Sequence, residues 1–147
     1  ALEYHVLKKS GSESFVLGWY VDVDTEIGDA QVNEDGTRTY DVTVTVRNTI
    51  DSNTIKTAGG YILGSYEGAW RGYIHLFAPA GGTITDVKAD SNGSFRHATY
   101  ENLEVAYNLS VMIYPQKSMV ITYKVTTAEG VTAVPGISMT PTLQGYR

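Results

Sequence analysis

The stretch "LEVAYNLSVMI", Leu103 to Ile113, decides the fold. Leu103, Val105, Tyr107, Leu109, Val111 and Ile113 alternate with Glu104, Ala106, Asn108, Ser110 and Met112. Successive side chains of an extended strand point to opposite faces, so the pattern predicts a strand with one apolar face. Three other segments keep the same rhythm. From Phe15 to Asp24, the residues Phe15, Leu17, Trp19, Val21 and Val23 share a face. In "DVTVTVRN", Val42, Val44 and Val46 oppose Thr43, Thr45 and Arg47. In "MVITYKV", Met119, Ile121, Tyr123 and Val125 oppose Val120, Thr122 and Lys124. One apolar and one polar face is how antiparallel strands read when one side of the sheet is wet.

Turn-forming clusters separate these segments: "NEDG" at Asn33 to Gly36, "AGG" at Ala80 to Gly82, "SNG" at Ser91 to Gly93, "YPQKS" at Tyr114 to Ser118 and "AEG" at Ala128 to Gly130. Their Gly, Asn, Asp and Pro residues tolerate positive φ or pre-set a turn. No segment shows a helical apolar stripe. The expected fold is all-β: an antiparallel β-sandwich of Ig-like character with about seven to nine strands, forming one domain over residues 1–147. The expected core is Trp19, Val21, Val42, Val44, Val46, Leu76, Val105, Leu109, Val111, Ile121 and Tyr123, each on the apolar phase of its strand. An irregular piece from Ile50 to Gly68 stands apart as a long loop.

Composition narrows the function. The 147 residues carry a net charge of −5, and Lys8-Lys9 is the only basic pair. Such a surface repels polyanions, so no nucleic-acid partner is expected. The absence of cysteine removes disulfides, thiolate metal sites and thiol nucleophiles together. No apolar run is long enough to span a bilayer, and no secretory leader is evident.

The segment "AWRGYIHLFAPAGG", Ala69 to Gly82, gathers Trp70, Arg71, Tyr73 and His75. As a strand it turns Arg71, Tyr73, His75 and Phe77 one way and Gly72, Ile74, Leu76 and Ala78 the other. Pro79 cannot donate to a ladder and ends it. Aromatic strands are usually core, so a well-filled strand explains every residue, with Arg71 as a support for the long loop. The competing reading is a ligand surface in which Trp70, Arg71 and Tyr73 meet a sugar ring or a peptide.

No Gly-x-Ser-x-Gly elbow or phosphate-binding glycine loop is present. His5, His75 and His97 sit in separate segments without metal-ligand spacing. Asp22 and Asp24 are alternate strand residues about 6.5–7 Å apart, a spacing that suits calcium or a pair of catalytic carboxylates. A solvated acidic edge that discourages sheet-to-sheet pairing accounts for them without either. No metal, cofactor or catalytic residue is expected.

Three stretches resemble the bacterial family called domain of unknown function 4012. They are "VDVDTEIGDAQVNEDGTRTYDVTVTVRNTIDS", "WRGYIHLFAPAGGTITDVKADSNG" and "YPQKSMVITYKV". The resemblance spans roughly Phe15 to Thr142 and lies in the order of strands and turns. The chain departs from it at Ala58-Gly59-Gly60, where the family has Leu-Pro-Asp, and at Pro115-Gln116, where the family has Pro-Gly. It implies a C-terminal, β-rich part of a larger extracytoplasmic protein, anchored in the membrane by an N-terminal portion. It carries over no catalytic residue. The expected function is a non-enzymatic structural or interaction module of a bacterial cell-envelope protein. Its expected partners are a protein or a cell-wall polysaccharide. A carbohydrate-binding module using Trp19, Trp70 and exposed tyrosines is the alternative.

Overall fold

Alternation along the chain becomes strands throughout. The computed structural model describes residues 21–51, 68–135 and 138–143, the last of these as backbone. Among the described residues there are nine strands and no helix: β1 (Val21–Ile27), β2 (Gln31–Val32), β3 (Arg38–Asn48), β4 (Trp70–Phe77), β5 (Thr83–Ala89), β6 (Arg96–Tyr100), β7 (Leu103–Ile113), β8 (Ser118–Thr126) and β9 (Ser138–Leu143). All pair antiparallel. One sheet runs β1-β3-β8-β5, with the short β2 also on β3; the other runs β6-β7-β4-β9. The two face each other as a sandwich, and the chain crosses between them after β3, β4, β5, β7 and β8.

The core is the meeting of two apolar phases. Val42, Val44 and Val46 lie opposite Tyr123, Ile121 and Met119 in register, and all six are buried. From the other sheet come Trp70, Ile74 and Leu76 of β4 and Ala106, Val111 and Ile113 of β7. Burying each aliphatic side chain contributes about 1.5–3 kcal/mol before conformational entropy is subtracted. Of the expected core, Val21, Val42, Val44, Val46, Leu76, Val111, Ile121 and Tyr123 are buried between the sheets. Trp19 lies outside the described residues. Leu109 departs from the expectation, being 51% exposed. Val105 is buried, but not within the core cluster.

The ends of the long loop are held by Asn48 and Gln116; whether Arg71 supports the loop turns on residues outside the described ones. Asn48 is buried; its amide donates to the carbonyls of Gly68 (2.7 Å) and Ile113 (3.0 Å), and its oxygen accepts the Ile50 N–H (3.1 Å). Gln116 occupies the third position of the Tyr114–Lys117 turn at φ 64°, where glycine is usual. Its amide donates to the carbonyls of Thr49 (2.8 Å) and Ile50 (3.1 Å), and Arg47 donates to its oxygen (3.1 Å). Glutamine accepts the unfavourable φ here because its side chain reaches the loop. The centre of that loop lies outside the described residues.

Candidate functional site

The site begins with one extra residue in β7. Gly72 pairs with Val111 but Ile74 pairs with Asn108, so two steps on β4 face three on β7. This β-bulge, together with the end of β6 pairing at Tyr107, leaves backbone donors of β7 without ladder partners, and asparagines take them up. The Asn108 oxygen accepts the Ser110 N–H at 2.9 Å. The Asn92 oxygen accepts the Met112 N–H at 2.9 Å. The Asn108 amide in turn donates to the Asn92 carbonyl at 2.9 Å. Asn92 sits at φ 69° in the "SNG" turn, and Asp90 just before it accepts the Val120 N–H of β8 at 3.0 Å. The turn between β5 and β6 is therefore tied to both sheets and props the bulge from inside.

A bulge exchanges the two faces of the strand that carries it. Beyond it Val111 and Ile113 point into the core, as the alternation predicts. Before it, Ala106 and Asn108 point inward, and Val105, Tyr107 and Leu109 point to the outer face. There they meet the outward side chains His75 and Phe77 of β4 and Ala98 and Tyr100 of β6, with Thr99 between the last two. Together these residues line an open groove of about 580 Å³. In register, Phe77, Val105 and Ala98 form one row across the sheet, and His75, Tyr107 and Arg96 the next. The His75 ring lies between two others. Its centroid is 6.4 Å from Phe77 and 6.1 Å from Tyr107, with planes inclined by only 20° and 19°. Burial pushes the His75 imidazole below its usual pKa and favours the uncharged ring. The groove is thus apolar and ring-lined, with Tyr100 and Leu109 largely open to solvent.

The sequence-predicted site residues fall in different places. Trp70 is 2% exposed and packs in the core, while Arg71 and Tyr73 emerge on the opposite face of β4, half-buried. Adjacent residues of a strand cannot share a face, so Trp70 is not part of any surface formed by Arg71 and Tyr73. Neither Arg71 nor Tyr73 lines the groove; the next two outward residues of the same strand do. Asp22, Asp24 and Glu26 are exposed on the outer face of β1, facing Arg47, Thr45 and Thr43 across the ladder. Asp29 is exposed in the turn that follows. His75 and His97 lie on β4 and β6, and among the described residues no three His, Asp or Glu side chains gather as metal ligands. His5 lies outside the described residues.

The sequence pattern turns His75 and Phe77 to the side they take, but puts Tyr107 on the apolar phase of β7 and Leu109 in the core. It also passes over β6. The signals were present: Asn108 sits where an inward polar residue demands a partner, and "EN" at Glu101–Asn102 forms the two-residue turn of the β6–β7 hairpin, at φ 49° and 66°. The outer face of the other sheet is unlike the groove. Asp41, Thr43, Asp86, Lys88, Thr122 and Lys124 line a polar hollow of about 390 Å³ there. Within it the Lys124 ammonium meets the Asp41 carboxylate at 2.7 Å. The Asp41 hydrogen bond raises the Lys124 pKa. No known protein family matches the chain, and no curated protein matches it.

Proposed function

We propose that the chain is a non-catalytic interaction module of a bacterial cell-envelope protein, displayed outside the cytoplasmic membrane. Its groove on the outer face of the four-stranded sheet would hold an apolar segment of a protein partner. The observation that carries this reading is the bulge at Leu109–Ser110. It turns Tyr107 and Leu109 out of the core and beside His75 and Phe77, while polar bonds from Asn92 and Asn108 hold them there. An uncharged, mostly aliphatic and aromatic lining complements apolar side chains. The acidic residues Asp22, Asp24 and Glu26 stand exposed along β1, in the other sheet from this groove. The envelope setting and the Ig-like grouping rest on the family resemblance and on the two antiparallel sheets with repeated crossovers.

A second reading, carbohydrate binding, is favoured by the nearly parallel rings of Phe77, His75 and Tyr107. Sugar platforms also need polar groups to meet hydroxyls, and this lining offers few. Backbone amide spectra of the labelled protein separate the two. They are recorded with a short leucine- and phenylalanine-rich peptide and with a soluble N-acetylglucosamine oligomer. Shifts at His75, Phe77, Tyr107 and Leu109 caused by the peptide alone support the proposal. Shifts caused by the saccharide alone transfer the site to carbohydrate. Silence with both removes the groove as a binding surface.

A further inference from the structure

Among the described residues, strand β6 ends its sheet, pairs with β7 on one side only, and is exposed along its whole length. Its backbone phase follows from its hairpin. Glu101 and Asn102 both have positive φ, as in a type I′ two-residue turn. In such a hairpin the closing pair, Tyr100 and Leu103, exchanges both backbone bonds. Bonded and non-bonded pairs then alternate along the ladder. Ala98 and Arg96 bond to β7, and His97 and Thr99 turn their N–H and C=O groups to the free side. The Glu104 carbonyl, opposite Thr99, accepts the Ala78 N–H at 2.9 Å on the β4 side, in keeping with this phase.

The edges of the five-stranded sheet are blunted, and β9, the other edge of the four-stranded sheet, carries Pro141, which has no N–H to donate. β1 lines its outer face with Asp22, Asp24 and Glu26, so two copies would bring like charges together. β5 is broken by a register shift between Thr85 and Lys88, with Asp86 at φ 54°. β2 is two residues long. β6 is regular and carries no acidic residue.

We infer that β6 pairs antiparallel with β6 of a second copy of this chain, about a two-fold axis through Ala98. That register sets His97 against Thr99 of the second copy, and the reverse. Both are bonded pairs, which satisfies every free backbone group of the two residues. It places Arg96 over the Tyr100 ring of the second copy, a cation–π contact, and never against another arginine. Ala98 meets only its own small counterpart at the axis. The two four-stranded sheets become one continuous sheet, and the two grooves lie side by side, with Arg96 of each copy at the Tyr100 wall of the other's groove. The pairing uses the strand edge and does not depend on what the groove binds.

Sedimentation equilibrium of the full chain from micromolar to millimolar concentration tests this. A monomer–dimer equilibrium is expected, with slowed exchange of the His97 and Thr99 amides at the high end. Ala98→Glu sets two carboxylates against each other across the axis. Thr99→Pro removes an edge donor without touching the bonds to β7. Each is expected to weaken the dimer at least about tenfold, like charges and lost edge donors both opposing strand pairing. Leu109→Ser, in the groove, is expected to leave the dimer unchanged while abolishing apolar peptide binding, so the two proposals fail separately. A chain that stays monomeric to millimolar concentration, with unprotected His97 and Thr99 amides, overturns the inference. So does a dimer that survives Ala98→Glu and dissolves with Leu109→Ser.

Discussion

The two outer faces of this sandwich come from the same alternating sequence rhythm and end up opposite in character. On the five-stranded sheet, the outward positions are Asp22, Asp24, Glu26, Asp41, Arg47 and Lys124, and water covers them. On the four-stranded sheet they are His75, Phe77, Val105, Tyr107 and Leu109, and they form a groove. β3 keeps an unbroken register with β8 from Thr39 to Arg47, so its valines all stay inside. β7 slips by one residue against β4, and half of its apolar residues change sides. A single bulge, supported by two asparagines, accounts for much of the difference between a charged, solvated face and a grooved, ring-lined one.

The largest expected effect separates the two phases directly. Leu76→Ala opens a cavity at a fully buried position and should cost about 2–5 kcal/mol in urea unfolding. Leu109→Ala should cost less than about 1 kcal/mol, because half of that side chain already meets water. Equal losses would erase the distinction between the faces. Next in size is the bulge itself. Asn92→Ala deprives the Met112 N–H of its acceptor and should cost about 1–3 kcal/mol, with faster exchange of that amide. An unchanged Met112 exchange rate would mean that the bulge stands without its prop.

The interior of the five-stranded sheet gives a smaller effect of the opposite sign. The Tyr123 hydroxyl is buried with no hydrogen-bond partner among the described residues, and burial pushes its pKa well up. Tyr123→Phe should hold stability constant or raise it by up to about 1 kcal/mol, since the hydroxyl is desolvated without return. A loss above that range would reveal a partner. Smallest is a pH effect on the groove face. The folded His75 pKa lies below its ordinary value of 6.5 because burial disfavours the charged ring. The unfolded chain therefore binds more protons there, so stability rises with pH through this window. The contribution is full above about 6.5 and is lost as pH falls from there toward the folded pKa. His75→Phe should flatten that part of the stability profile between pH 7 and 5. An unaltered profile would place the source elsewhere.

Period-two alternation carried most of the fold. Val42, Val44, Val46, Ile121 and Tyr123 lie on the predicted face because β3 and β8 are regular and their turns are marked by Gly and Pro. Alternation could not carry the site, because a bulge is one residue of register and leaves no mark on hydrophobic pattern. Its trace is polar: Asn108 on the inward phase and an Asn-Gly turn at Asn92 and Gly93 to meet it. β6 escaped because "RHATY" is exposed on both faces and has no alternation to detect. Trp70 misled in a different way, since proximity in sequence to Arg71 suggested a shared surface that a strand forbids.

Thiol reactivity tests the central claim most directly, because the chain contains no cysteine of its own. Leu109→Cys and Val111→Cys sit two residues apart, which simple alternation would put on one face and the bulge puts on opposite faces. Each variant is treated with a thiol reagent in native buffer and in denaturant. Leu109→Cys should react natively at close to its denatured rate. Val111→Cys should react natively at least about a hundredfold more slowly than it does when denatured, because its sulfur is reached only when the core opens. Protection of both positions would contradict the account, returning Leu109 to the core and closing the groove.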